Sequence, residues 1–174
     1  MALVIDATAG GANSNSFVTL AVAETYMEGR GNKSTWDAAS DGEKNIALVE
    51  ATRDLDAVSY DGYRATGTQA LAWPRQWAID VDDPTYNYFD TNEIPVRIQN
   101  ATCELAFQYI AAGTTDVAAI DSKTNIKRKK VDVLETEYFS STDTPTGLAR
   151  YPRVLTWITP LMANQGLTTE VIRG

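Results

Sequence analysis

The stretch IPVRIQNATCELAFQYIAAG, residues 94–113, constrains the fold more than any other part of this chain. Pro95 suits the first helical position, where its missing N–H leaves no bond unmade, and Gly113 suits the stop. Between them Ile98, Ala101, Cys103, Leu105, Ala106, Phe107, Tyr109 and Ile110 recur around nearly the whole helical circumference. A helix that is apolar on most sides has to be wrapped by other elements, so it is predicted to be the centre of the fold. Cys103 is the only cysteine; it excludes an internal disulfide and reads as a small buried hydrophobe of that core.

The wrapping elements are legible as well. In STWDAASDGEKNIALVEATRDLDAV, Ser34 or Thr35 caps one turn carrying Trp36. Ser40 and Glu43 then form a capping box that opens a longer helix. Ile46, Leu48, Val49, Ala51, Leu55 and Val58 follow at helical spacing and predict one packed side. Thr19 caps a helix running to about Glu28, with Leu20, Ala23, Tyr26 and Met27 on one face, and GRGN ends it. YPRVLTWITPLM predicts a last helix over 150–163, with Pro152 near its start and Pro160 kinking or ending it. In NIKRKKVDVLETEYF the period changes, and two strands joined by a tight connection are expected over 123–140, a hairpin with a basic first arm and an acidic second one.

The remaining segments read as connections. Residues 1–15 read as a mobile arm in which LVID can pair as a short strand, SSTDTPTG as a linker, and 164–174 as a polar tail. The connection 59–93 is too long to be structureless in a compact domain; a turn of helix around TQALA and aromatics folding back onto the helical core 16–113 are expected. The whole is a mainly α fold with a β-hairpin and extended ends. With 174 residues, 44% of them hydrophobic, it fits one domain over 1–174.

Composition removes function classes. There is no histidine, hence no Ser-His-Asp triad, no Cys-His pair and no imidazole metal ligand. GG at 10 and 11 leads into no phosphate-binding pattern, and carboxylate pairs such as Asp54 with Asp56 and Asp82 with Asp83, one or two residues apart, do not put both groups on one helical face. No catalytic residue is nominated, and a protein without enzymatic activity or cofactor is expected. Asp80, Asp82 and Asp83 suggest hard oxygen ligands, but Pro84 and Thr85 stand where a calcium loop needs an acidic or amide residue and then glycine, so no metal is expected. No apolar run approaches the roughly 20 residues of a membrane span, and the amino terminus lacks the features of a signal peptide, so a cytoplasmic, membrane-free protein is expected.

Charge is unevenly distributed. Residues 1–122 hold 7 basic and 18 acidic side chains, residues 123–174 hold 8 and 5, so −11 and +3 sum to the net −8. An acidic body is a poor partner for phosphates, whereas an acidic body with a basic end suits copies that meet head to tail. The only basic run, Lys127, Arg128, Lys129 and Lys130, reads as a solvated hairpin arm, with contact to an acidic protein surface or to DNA as the alternatives. In ALAWPRQW, Trp73 and Trp77 read as anchors pinning the long connection, Pro74 as the end of a preceding helical turn, and Arg75 as the partner of a carboxylate or helix end; Trp36 is a further anchor.

The order SFVTLAVAETYM, ALVEATRDLDAV, QALAWPR, IPVRIQNATCELAFQY, IKRKKVDVLETEY and YPRVLTWITPLM, covering about residues 14–163, resembles the head-tail connector (adaptor or neck) proteins of tailed bacteriophages. That family also carries the label DnaT-like single-stranded DNA-binding protein. The resemblance implies a helical-bundle connector fold with a protruding β-hairpin, assembled as a ring, usually a dodecamer, beneath the portal. Its implied partners are itself, the portal protein, a downstream tail or neck protein, and genomic dsDNA passing through the lumen. The implied location is the neck of the virion, after assembly in the host cytoplasm. Lys127–Lys130 with Tyr151, Arg153 and Trp157 are the expected contacts between subunits or with the portal. The alternative is an ssDNA-binding or replication-accessory protein.

Overall fold

The computed structural model describes residues 3–113, 126–130, 135–138 and 147–163, the two strand segments through their backbone. Helix α1 spans Leu20–Glu28, α2 Ser34–Ala38, α3 Asp41–Asp56, α4 Val96–Ala112 and α5 Pro152–Ile158. Strands β1 (Tyr63–Arg64) and β2 (Arg75–Gln76) pair antiparallel, as do β3 (Ile126–Lys130) and β4 (Glu135–Tyr138). Short 3-10 turns, Gly147–Arg150 and Thr159–Leu161, flank α5, and Pro160 lies in the second, where α5 has ended. The fold is mainly α with a small hairpin, as the periodicities predict.

α4 occupies the centre and packs against α1, α2, α3 and α5. Ile98, Ala101, Leu105 and Ala106 have no exposed surface. The buried Thr102 is accommodated because its hydroxyl donates to the Ile98 carbonyl at 2.8 Å, one turn back. Pro95 sits at the cap and not inside the first turn, and Gly113 ends the helix with φ +68°, a left-handed conformation that glycine adopts without strain. The α3 capping box forms as the sequence predicts: the Glu43 N–H donates to the Ser40 hydroxyl at 3.3 Å and the Ser40 N–H to the Glu43 carboxylate at 2.8 Å.

The structure differs from the sequence reading where polar side chains compete with pattern. On α3, Ile46 is half exposed, while Lys44 and Thr52 are buried. Lys44 reaches Glu24 of α1 at 2.8 Å, and the same carboxylate accepts the Trp36 indole N–H at 3.1 Å, so one anion joins α1, α2 and α3. The hydrogen bond from Lys44, and secondarily that from Trp36, holds the Glu24 carboxyl below its usual range against the opposing effect of burial. Thr52 donates to Leu48 O and accepts the Phe17 N–H, fastening the incoming chain to α3.

No helix forms around TQALA. The Gln69 carboxamide accepts the Thr66 N–H and donates to Leu71 O and Pro74 O, so a side chain satisfies backbone groups that helical bonds would otherwise take. Nor does LVID form a strand, and the segment expected as a free arm is tied back. Asp6 and Asn15 exchange bonds at 2.9 Å, the Ala70 N–H donates to Gly11 O at 3.0 Å, and Phe17 and Val18 enter the core. In the β3–β4 register Lys130 faces Glu135. VDVL (residues 131–134), the linker SSTDTPTG apart from its last residue, Gly147, and the tail 164–174 lie outside the described residues.

Candidate interaction surfaces

The WPR corner is an internal staple. Trp73 is buried edge-on to Tyr60 and Phe89, both at 5.5 Å, so it holds the beginning and the end of the long connection together. Arg75 does not take the carboxylate or helix-end partner that its sequence context suggested. Its guanidinium donates to the carbonyls of Tyr60 (3.1 Å), Asp61 (2.6 Å), Gly62 (2.5 Å) and Ala72 (3.1 Å). Pro74 ends no helical turn, because none precedes it; it follows a cis bond from Trp73 and its carbonyl accepts from Ala65 and Gln69. Gly62 makes the close approach possible: at φ +72°, a Cβ there would lie 2.3 Å from Gln76 O.

A planar fork with several donors can satisfy four converging carbonyls and a single ammonium cannot. Arg75→Lys is therefore expected to lower the unfolding free energy by about 2 kcal/mol, read as an earlier denaturant midpoint. Arg64→Lys, at the exposed residue directly opposite Arg75 in the β1–β2 pair, is the control expected to change nothing measurable; an unshifted Arg75→Lys midpoint would remove the staple role.

The second constellation surrounds Glu104, which the sequence reading passed over. The side chain sits on the central helix with 1% of its surface exposed. Tyr26 donates to it at 2.8 Å, Arg30 at 3.2–3.3 Å and Arg153 at 3.2 Å, so α1, the turn after it, and α5 converge on one buried carboxylate of α4. Burial alone would raise this carboxyl; the combined bonds from Arg30, Tyr26 and Arg153 outweigh it and hold the group below its ordinary value. Burial and the neighbouring anion push the Tyr26 phenol upward. Arg30 also lies over the Phe107 ring at 3.6 Å. The cavity beside them, about 430 Å³, is lined by Tyr26, Gly29, Arg30, Gly31, Glu104 and Arg153. A carboxylate clamped in its ionised form joins helices and is poorly suited to moving protons. Its sequence signal was a lone acid in an otherwise apolar helix, which needs a buried cation for company.

The other expected site residues fall in different settings. Lys127–Lys130 lie on β3, with Arg128, Lys129 and Lys130 opposite Glu137, Thr136 and Glu135. Tyr151 is half-buried, edge-on to Tyr109 at 6.4 Å, and Trp157 packs against the core from a half-buried position. Arg153 is largely exposed while its tip holds Glu104. Of the tryptophans, Trp36 and Trp73 are buried anchors as expected, but Trp77 is not: it is 61% exposed. Its backbone at φ +63° turns the ring away from the core, where it meets Tyr88 edge-on at 5.4 Å. Cys103 is buried in the core, which pushes its thiol up to about 12. Among the described residues no helix is long and apolar enough to cross a membrane, and no acid or cysteine cluster could hold a metal.

One family model matches the chain, over residues 1–174, and its description is "Putative DnaT-like ssDNA binding protein". No curated protein and no solved structure matches.

Proposed function

We propose that this chain, which belongs to the family described as Putative DnaT-like ssDNA binding protein, is a structural assembly protein of the phage head-tail connector type. In this reading copies join in a ring, matched to the portal's twelve-fold symmetry, that extends a DNA channel and docks a neck or tail component. The observation that carries it is where the positive charge goes. Lys33, Lys44, Arg53 and Arg97 pair with Glu28, Glu24, Glu50 and Asp82; Arg30 and Arg153 hold Glu104; Arg75 holds carbonyls. A body most of whose described cations, the exposed Arg64 apart, are occupied within itself, and whose remaining charge is acidic, lets a polyanion pass without binding it. The motif order quoted above adds the connector architecture.

A second reading, binding of single-stranded DNA, is the one the family description supports directly, and the basic run Lys127–Lys130 favours it too. One pair of measurements separates the two. On the connector reading, the purified chain sediments as a multi-subunit species or becomes one when mixed with the portal, and an oligonucleotide binds weakly whether or not Lys127–Lys130 are replaced. On the ssDNA reading, an oligonucleotide binds tightly and loses affinity by orders of magnitude between about 50 and about 200 mM salt. Tight binding abolished by Lys127→Glu, Lys129→Glu and Lys130→Glu together, from a chain that stays monomeric with portal, overturns the connector reading.

A further inference from the structure

We propose that the outward face of residues 77–88 seats the basic strand Ile126–Lys130 of a second copy of this chain. The proposal rests on the self-assembly reading above and names the surface that performs it. Residues 77–89 double back as an irregular ribbon: Ile79 and Tyr88 form an antiparallel bridge, the Asp80 N–H donates to Asn87 O at 2.8 Å, and the Phe89 N–H to Ala78 O at 2.9 Å. Ala78 and Phe89 face the core, Phe89 against Trp73. Alternation along the ribbon then puts Ile79, Val81 and Tyr88 on the other side, with Trp77 against Tyr88 and Tyr86 nearby in the chain. All five are exposed, Tyr86 by 77%. Clustered exposed aromatic and aliphatic side chains have the composition of an interface centre, and a monomer seldom leaves so many in water.

Charge selects the occupant. The ribbon and the segment that follows it carry Asp80, Asp82, Asp83, Asp90 and Glu93, while the one cation at their edge, Arg97, is paired with Asp82. A nucleic-acid strand stacking on Trp77 and Tyr88 would bring its phosphates among these carboxylates; a basic peptide strand would bring lysines. The chain contains one basic run, Lys127–Lys130, and it is already presented as a strand paired on one edge with β4 in a two-stranded sheet. One acidic aromatic face and one basic strand per copy make a heterologous contact, each copy giving one and receiving one, which is the geometry that closes into a ring.

Two single variants test this without relying on any buried residue. A chain carrying Ile79→Cys is mixed with a chain carrying Lys129→Cys under mild oxidation, the native Cys103 being buried and its thiol pushed up to about 12. A covalent dimer between the two chains is the expected product, at least about tenfold more than either chain forms alone. In parallel, sedimentation compares three full-length chains: one with Lys127→Glu, Lys129→Glu and Lys130→Glu; one with Asp80→Lys and Glu93→Lys; and one with both sets. Each single set is expected to weaken self-association at least about tenfold, and the combined chain to regain it, because the charges have exchanged sides. No mixed dimer, or association unchanged by either set, overturns the proposal while an intact oligomer leaves the connector reading standing. A wild-type chain that never associates overturns both. Oligonucleotide binding that Trp77→Ala abolishes would make the face a stacking platform and overturn the proposal.

Discussion

Glu104→Gln is expected to destabilise the protein by about 3 kcal/mol, the scale of breaking a buried ion pair by removing one partner. The glutamine keeps the shape of the side chain but leaves Arg30, itself largely buried, with a neutral partner. Arg153 suffers less, because most of its side chain is in solvent. The loss has a pH signature whose sign follows from the direction of the shift. The Glu104 carboxyl is depressed in the folded protein, so its contribution is fully present above the ordinary glutamate value of about 4.3 and is lost as the pH falls through the lower, folded value. Wild type and variant should therefore differ most near neutrality and converge in acid. Denaturant midpoints measured across that range check it, and a constant difference at every pH would refute the charge argument. Adding Arg30→Gln to the variant should cost less than the sum of the two single changes, since each removes the same interaction.

Trp73→Ala is expected to cost about 3–5 kcal/mol, the range for emptying a buried large aromatic site. The ring is 1% exposed and contacts Tyr60 and Phe89 edge-on, so its removal opens a cavity and frees both ends of the long connection. Trp73→Phe should cost much less, because the indole N–H has no hydrogen-bond partner among the described residues and nothing polar is lost with it. Equal losses for the two variants would mean that the site depends on the full indole shape and not on aromatic packing.

Those two residues show how unevenly the chain advertised itself. Trp73 and Trp77 stand four apart in one motif and drew the same expectation, yet one is a core residue and the other forms part of the proposed docking face. Nothing in local sequence distinguishes them, because the difference comes from the backbone at residue 77, and that is set by how the ribbon 77–89 folds onto Trp73. Arg75 misled in the same way: acids surround it in sequence, whereas its donors find four carbonyls brought together by the turn at Gly62. Glu104 went unread because hydrophobic periodicity counts how many apolar residues a helix has and says nothing about an acid whose cations arrive from α1 and α5.

By itself the sequence determined the elements whose causes are local. The caps at Thr19 and Ser40, the stop at Gly113, the proline that closes α5 and the change of period at Ile126 all act within a few residues, through one or two hydrogen bonds or a fixed φ, and each appears where the spacing put it. The encircling of α4 was legible for the same reason, since a helix apolar on most sides leaves no other arrangement. Only the tertiary structure decided which polar groups are buried, which aromatics face water, and how the body's positive charge is occupied. Several of those outcomes depend on partners far away in the chain, 16 residues for Asp56 with Ala72 and 78 for Glu104 with Tyr26, and contacts over such distances leave no periodic trace in the sequence.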